Sequence, residues 1–356
     1  MRDREMLLVD ICRAYVTGEG VRSDFDSLDA RSMGRIFDEC AAHGITVVAY
    51  AVLRDMLAHR VDMRDVKLRW ALSAERIAGR YRKQCLLAAD AGYCLSAAGI
   101  DAVVFKGPAL SRYYRRPEHR ECGDLDIYTG CDMERASSAL AAAGGVVEAV
   151  TLKNTHVLYK GLMIENHCST TDARGRRSNR EFEMLMRELL ASRDSCRRID
   201  DLQMLLPPVI FTAIHTLRHA LHHYLWEGIA MRHLLDWALF VEAEQDNIDW
   251  PRFYALCEKY RLRAFADALT AIAAESCGVR LSHESITYDS VLGSRILHDV
   301  VMSCNHAGRS GSRTRMSTLL RFWSGRWKCR QLYDSNFFAE MVYIAKGSLF
   351  QRHLRL

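Results

Sequence analysis

The chain has 356 residues, 49% of them hydrophobic and 26% charged, enough apolar material for a sizeable core and little room for long disordered linkers. Its formal net charge of +5 permits an anionic substrate but does not by itself indicate nucleic acid. Twelve dispersed cysteines without a CxxC pair argue against a disulfide framework, the charged start MRDREMLLVD has no signal-peptide pattern, and no apolar run is long enough for a membrane span. The expectation is a soluble, cytoplasmic protein with reduced thiols.

Residues 1–98 read as an N-terminal helical region. Residues 33–56 mix apolar and polar positions without strict alternation. Residues 65–98 predict one long, alanine-rich helix, with Leu68, Leu72, Ile77, Tyr81, Leu86 and Leu87 as its apolar stripe. Residues 99–205 read as a small sheet-bearing core. Ala102–Phe105 is a buried strand ended by Lys106-Gly107-Pro108, and a short helix is expected over residues 109–114. Residues 124–128 alternate acidic and apolar side chains as a strand does. Asp132 can cap the helix that follows, and Gly144-Gly145 ends it. Two more strand segments follow, residues 146–152 and 156–168, the latter with Gly161 at a turn. Residues 206–356 return to helix, with candidates at 209–225, 229–243, 251–260 and 264–277. The fold class is therefore α/β: a small mixed sheet flanked by N-terminal and C-terminal helical regions.

The chemistry concentrates around Asp124-Leu125-Asp126. Residues i and i+2 of a strand share a face, so the two carboxylates project together while Leu125 and Ile127 face the core. Paired carboxylates repel unless a cation lies between them, and oxygen ligands suit Mg²⁺ or Mn²⁺. An isolated DxD is more often a solvated pair. Here a glycine turn ends the preceding strand, Gly123 directly precedes the first aspartate, and a third carboxylate, Glu165, lies on a later strand, Met163-Ile164-Glu165-Asn166-His167.

Phe105-Lys106-Gly107, then Arg120-Glu121-Cys122-Gly123-Asp124-Leu125-Asp126-Ile127, then Ile164-Glu165-Asn166-His167, resemble the uncharacterised bacterial nucleotidyltransferase family of the DNA polymerase β-like superfamily. The resemblance is firmest over residues 100–170 and extends loosely through His215, His219, Asp236 and Ile248-Asp249-Trp250. It implies that Asp124, Asp126 and Glu165 hold divalent ions, and that an NTP lies over the Lys106-Gly107 turn. A nucleoside monophosphate would pass to an acceptor with release of pyrophosphate. The acceptor stays open among a small molecule, a peptide, a polysaccharide precursor and RNA. The superfamily's usual phosphate turn is Gly-Ser or Gly-Gly, so Lys106 stands where a hydroxyl contact is missing.

Arg120 is a candidate for phosphate neutralisation or for pairing with an acidic neighbour, and His167 for nucleotide contact. His156, His215, His219 and Asp236 are candidates to line the cleft. His215 and His219 are i,i+4 neighbours, a spacing that also suits zinc, but no HExxH pattern accompanies them. The basic, tryptophan-bearing stretch from Arg309 to Arg330 reads better as an amphipathic helix than as a nucleic-acid surface. Two rival functions remain: a toxin-like nucleotidyltransferase acting on tRNA or protein, and a non-catalytic nucleotide-binding protein.

Overall fold

A computed structural model describes residues 2–171, 177–191, 196–304 and 325–332. Three helices open the chain: α1 (Arg2–Thr17), α2 (Ala30–Ala42) and α3 (Thr46–Ala58). The mixed stretch at residues 33–56 is thus two helices, parted at His43-Gly44. The long helix α4 (Arg64–Ala97) follows.

The apolar stripe expected on α4 holds at Tyr81, is half-buried at Ile77 and Leu87, and fails at its other three leucines. Leu68, Leu72 and Leu86 are exposed, and the buried face is Trp70, Ala74, Ala78, Tyr81, Ala88, Ala91, Gly92 and Leu95. Small residues let the helix axis come close to its neighbours, which larger side chains would hold away. Gly92 marks the limit: a Cβ there would lie 1.9 Å from the carbonyl oxygen of Leu202.

The sheet begins with β1 (Val103–Val104). The helix α5 (Pro108–Ser111), β2 (Leu125–Tyr128) and α6 (Met133–Ala142) come next. Asp132 precedes α6 but makes no side-chain cap; its carboxylate accepts from Arg135 instead. Three antiparallel strands follow, β3 (Gly145–Val150), β4 (Asn154–Tyr159) and β5 (Leu162–His167), with Lys160-Gly161 as the tight turn between the last two. After α7 (Arg177–Ala191), the short strands β6 (Arg197–Ile199) and β7 (Met204–Leu206) complete a mixed seven-stranded sheet of order β3-β4-β5-β2-β1-β7-β6. The last two strands and α7 were not foreseen. Strands of three residues carry too little alternation to stand out.

Helices α8 (Val209–Trp226), α9 (Met231–Glu244), α10 (Trp250–Lys259), α11 (Arg263–Ala271) and α12 (Ser290–Cys304) follow, and a short helix, Arg326–Leu332, is the last element described. The basic stretch predicted from Arg309 falls outside the described residues until this helix. There Lys328 is buried against the Tyr224 ring and paired with Asp299 at 2.6 Å.

Each face of the sheet has its own apolar cluster. Val104, Leu125, Ile127, Val157 and Ile164 pack beneath α4 and α6. Val103, Phe105 and Tyr128 turn to the other face and join a cluster shared by α1–α3 and α8–α12. Asp126 has the parity of Tyr128, so it projects from this second face. No helix among the described residues is long and apolar enough to cross a membrane.

Candidate active site

The register of two strands builds the site. β2 and β5 run parallel, with Asp126 opposite Glu165 and Tyr128 opposite His167. Opposed residues share a face, and His167 is two residues beyond Glu165, so Asp126, Glu165 and His167 project together. Antiparallel β4 adds His156 opposite Glu165 and Asn154 opposite His167. Asn154 Nδ2 donates to Glu165 Oε2 at 3.3 Å. Nothing local singles out Asn154, because its place depends on the pairing of β4 with β5.

Asp126 is nearly inaccessible, at 2% exposure. Its Oδ1 takes Lys106 Nζ at 2.9 Å and His167 Nε2 at 3.0 Å, and His167 Nε2 also lies 3.5 Å from Glu165 Oε2. Burial alone would raise the Asp126 pKa, but Lys106 and His167 outweigh it and hold the carboxyl well below the usual range. The hydrogen bond from His167 likewise lowers Glu165, against burial and the charge of Asp126. His167 Nδ1 is buried without a hydrogen-bond partner.

Asp124 stands one residue before β2, on the exposed side of the cluster. Desolvation and the charges of Asp126 and Glu165 raise its pKa, with Lys106 opposing. Three carboxylates thus lie around one ammonium, which bonds Asp126 and acts on Asp124, and the negative surplus is what a divalent cation would neutralise. Among the described residues, the group whose ligand atoms can converge on one ion is Asp126, Glu165 and His167, all within 4.8 Å of one another. Asp124 is outside that trio, and the histidines of α8 are not part of a metal-binding group. The chemistry of the trio fits a divalent ion, with His167 as a nitrogen donor that the carboxylate pattern did not reveal.

Gly107 lets the Lys106 turn form. Its φ of +48° with ψ of −110° is open to glycine, and a Cβ would press on the carbonyl oxygen of Asp124 at 3.3 Å. The turn therefore lies directly against the entry to the carboxylate strand.

Arg120 and Asp236 meet each other rather than the cluster. Arg120 Nε and Nη2 donate to the two oxygens of Asp236, each at 2.8 Å, and Nη1 lies 3.0 Å from Cys122 Sγ. Tyr114 Oη also donates to Asp236 at 2.8 Å. The guanidinium is buried and spent on this pair, so its geometry favours the pairing reading over phosphate contact. Its consequence for the site is indirect. The loop ahead of Asp124 is tied to α9 by Arg120, to α3 by Glu121 Oε1 accepting from Thr46 N at 2.8 Å, and to α4 by Gln84 Nε2 donating to Gly123 O at 3.0 Å.

His215 is buried on α8, its ring edge-on to Phe105 at 5.0 Å and stacked on Phe211 at 5.4 Å. His219 stacks on His215 at 5.9 Å. Phe105 also meets His167 edge-on at 5.2 Å, so the α8 column touches the wall of the carboxylate cluster. Burial, then the Lys106 charge, lowers the pKa of His215 and His219, which favours their neutral form.

The model of a family described as uncharacterised nucleotidyltransferase matches residues 29–278, well over half of the chain. The chain belongs to this family. Neither a curated protein nor a solved structure gives a match. The matched span takes in α2 through α11, and so includes the whole sheet, the cluster and the helices that hold its loop. The nucleotidyltransferase family membership agrees with the resemblance read from the KG turn, the DxD strand and the later glutamate.

Proposed function

We propose that this nucleotidyltransferase moves a nucleoside monophosphate from an NTP to an acceptor hydroxyl, with Mg²⁺ or Mn²⁺ held at Asp126 and Glu165 beside His167, and Asp124 at the rim as the third carboxylate. The observation that carries the reading is the negative surplus on one sheet face: Asp126 beside Glu165 in register, Asp124 at the rim, and Lys106 as their ammonium partner. Bound divalent ions would supply a clamp on the attacking and leaving oxygens.

The chain's own groups then have distinct tasks. Asp126, immobilised by Lys106 and His167, fixes the innermost oxygen ligand. Glu165 and Asp124 are the accessible carboxylates, placed to receive the acceptor's proton. The acceptor oxygen bonds to the α-phosphorus, the bond to the β-phosphate oxygen breaks, and pyrophosphate departs. Lys106 exchanges its Asp126 contact for phosphate when substrate and cation arrive, and the Gly107 turn leaves backbone close to the triphosphate. His167, with one nitrogen on the carboxylates, orients both of them. His156, His215 and His219 line the adjoining wall.

The test is incubation of the purified protein and a lysate with each of the four α-³²P-labelled NTPs and Mg²⁺. Label in a product that depends on Asp126 supports the reading, and its size separates small molecule, protein and RNA acceptors. No incorporation from any NTP, with Mg²⁺ or Mn²⁺, would turn the assignment toward a nucleotide-binding protein without transfer.

A further inference from the structure

The sheet ends in a bare strand. β3 is its outermost member on one side, and no strand among the described residues pairs with the outer edge of β3. Val146, at 60% exposure, faces one side of the sheet and Val150, at 69%, faces the other; Leu152, just past the strand, is 71% exposed. From Gly145 to Leu152 the chain has one charged residue, Glu148, and no lysine, arginine or proline. An open edge is ordinarily guarded by lysine, proline or a covering loop, because its free N–H and C=O groups invite another strand.

This edge is in line with the carboxylates. Ala149 is opposite His156, His156 opposite Glu165, and Glu165 opposite Asp126, so one row crosses four strands on one face. Val146, Leu158 and Met163 make a neighbouring row on the same face. In-line displacement puts the attacking and leaving oxygens on opposite sides of the α-phosphorus. The Lys106 turn follows β1, which flanks β2 on the side away from β5. With the triphosphate over that turn, the acceptor arrives from the β5, β4 and β3 side. A strand added outside β3 would lie about 14 Å from β5, a gap that about four extended residues cross.

The character of the edge separates the possible acceptors. Small molecules take concave sites, whereas β3 is open on both faces and along its edge. Nucleic acid needs cations along its backbone, and β3 presents a carboxylate. A second copy paired antiparallel about the middle of β3 would bring Glu148 up to its own counterpart, and facing like charges destabilise. A different polypeptide supplies what the edge lacks: backbone partners, apolar side chains for the valines, and a lysine or arginine for Glu148.

We propose that the acceptor is a protein, docked in extended form along β3, whose serine, threonine or tyrosine hydroxyl reaches across β4 to the carboxylate cluster. This rests on the transfer reading above. The hydroxyl oxygen bonds to the α-phosphorus, the bond from that phosphorus to the β-phosphate oxygen breaks, pyrophosphate departs, and the hydroxyl proton passes to Glu165 or Asp124.

A lysate divided into protein, RNA and low-mass fractions, each incubated with the full chain, Mg²⁺ and the four α-³²P-labelled NTPs, tests it. Label is expected in the protein fraction, resistant to ribonuclease and removed by protease. Val146→Lys combined with Val150→Lys should cut that labelling about tenfold or more, since two apolar contacts are lost and lysines close the edge to a partner. Both positions are exposed, so Tm should hold, and Mn²⁺ uptake beside a non-hydrolysable NTP analogue should match wild type. Label confined to the RNA or low-mass fraction overturns the proposal and leaves the transfer reading standing, while label in no fraction overturns both. Undiminished protein labelling by the double variant, or a wild-type dimer that the double variant turns into monomers, would also overturn it.

Discussion

Two aspartates in this molecule are almost equally buried and each meets a cation, yet their surroundings differ in kind. Asp236 has both oxygens on one guanidinium and a tyrosine hydroxyl besides. Asp126 takes the Lys106 ammonium while two further carboxylates, Asp124 and Glu165, lie close by, and one of its partners, His167, keeps a buried nitrogen without a bond. The first arrangement is closed and balanced, and it anchors α9 to the loop ahead of β2. The second carries more negative charge than its protein partners neutralise. Burial of an aspartate therefore says little about its role; the charge balance around it says more.

Breaking the balanced pair should have the largest effect. Arg120→Ala leaves Asp236 charged and buried, so unfolding in urea should show a loss of about 3–5 kcal/mol. A double variant, Arg120→Leu with Asp236→Leu, should recover much of that loss, because no uncompensated charge remains. If Arg120→Ala instead kept wild-type stability and selectively raised the KM for NTP, the phosphate role first considered for Arg120 would return.

The unbalanced site should respond in the opposite sense. Asp126→Asn is expected to reduce transfer by on the order of a hundredfold or more, since even partners of metal ligands cost 10–100-fold when removed. Its circular dichroism and urea midpoint should stay near wild type. A collapse of the fold with proportionate loss of activity would place Asp126 in the same structural class as Asp236.

Lys106 sharpens the contrast, because it touches the unbalanced aspartate. Lys106→Ala should lower kcat/KM for NTP about ten- to a hundredfold, the worth of one charge-assisted contact to phosphate. Lys106→Arg should restore only part, since a fork replaces a compact ammonium. An unchanged kcat/KM at saturating Mg²⁺ would limit Lys106 to neutralising Asp126.

The smallest effect concerns pH. Burial lowers His43 and His233 to about 4, and His43 Nδ1 accepts from Met231 N, a bond that needs the unprotonated ring. The unfolded chain binds protons at these histidines near pH 6.5 and the folded chain does not, so stability is constant above that pH and declines below it. Each of the two should cost about 1 kcal/mol by roughly pH 5.5, and His43→Gln should flatten the decline in Tm. A Tm that rises on acidification would mean that these rings are charged in the fold.

The sequence made some of this legible and hid the rest for physical reasons. The DxD strand, the glycine turn at Lys106 and the long C-terminal helices carry strong local patterns, and they lie where the periodicity places them. The buried face of α4 misled, because leucines draw the eye while alanine and glycine do the close packing. Asn154 and the role of His167 beside Asp126 required the parallel register of β2 on β5 and the antiparallel register of β4, which are non-local facts. Arg120 could be read either way until Asp236, far along the chain, was seen to take its guanidinium. The shared core of α1–α3 with α8–α12 has no local signature at all.

The claim that ties these observations together is that the surplus charge at Asp126 and Glu165 exists to hold a divalent cation. Electron paramagnetic resonance of Mn²⁺ titrated into the purified chain, with a non-hydrolysable NTP analogue present, measures this directly. Saturable Mn²⁺ uptake is expected, and Asp126→Asn and Glu165→Gln should each abolish it. Mn²⁺ uptake equal in wild type, Asp126→Asn and Glu165→Gln would contradict it.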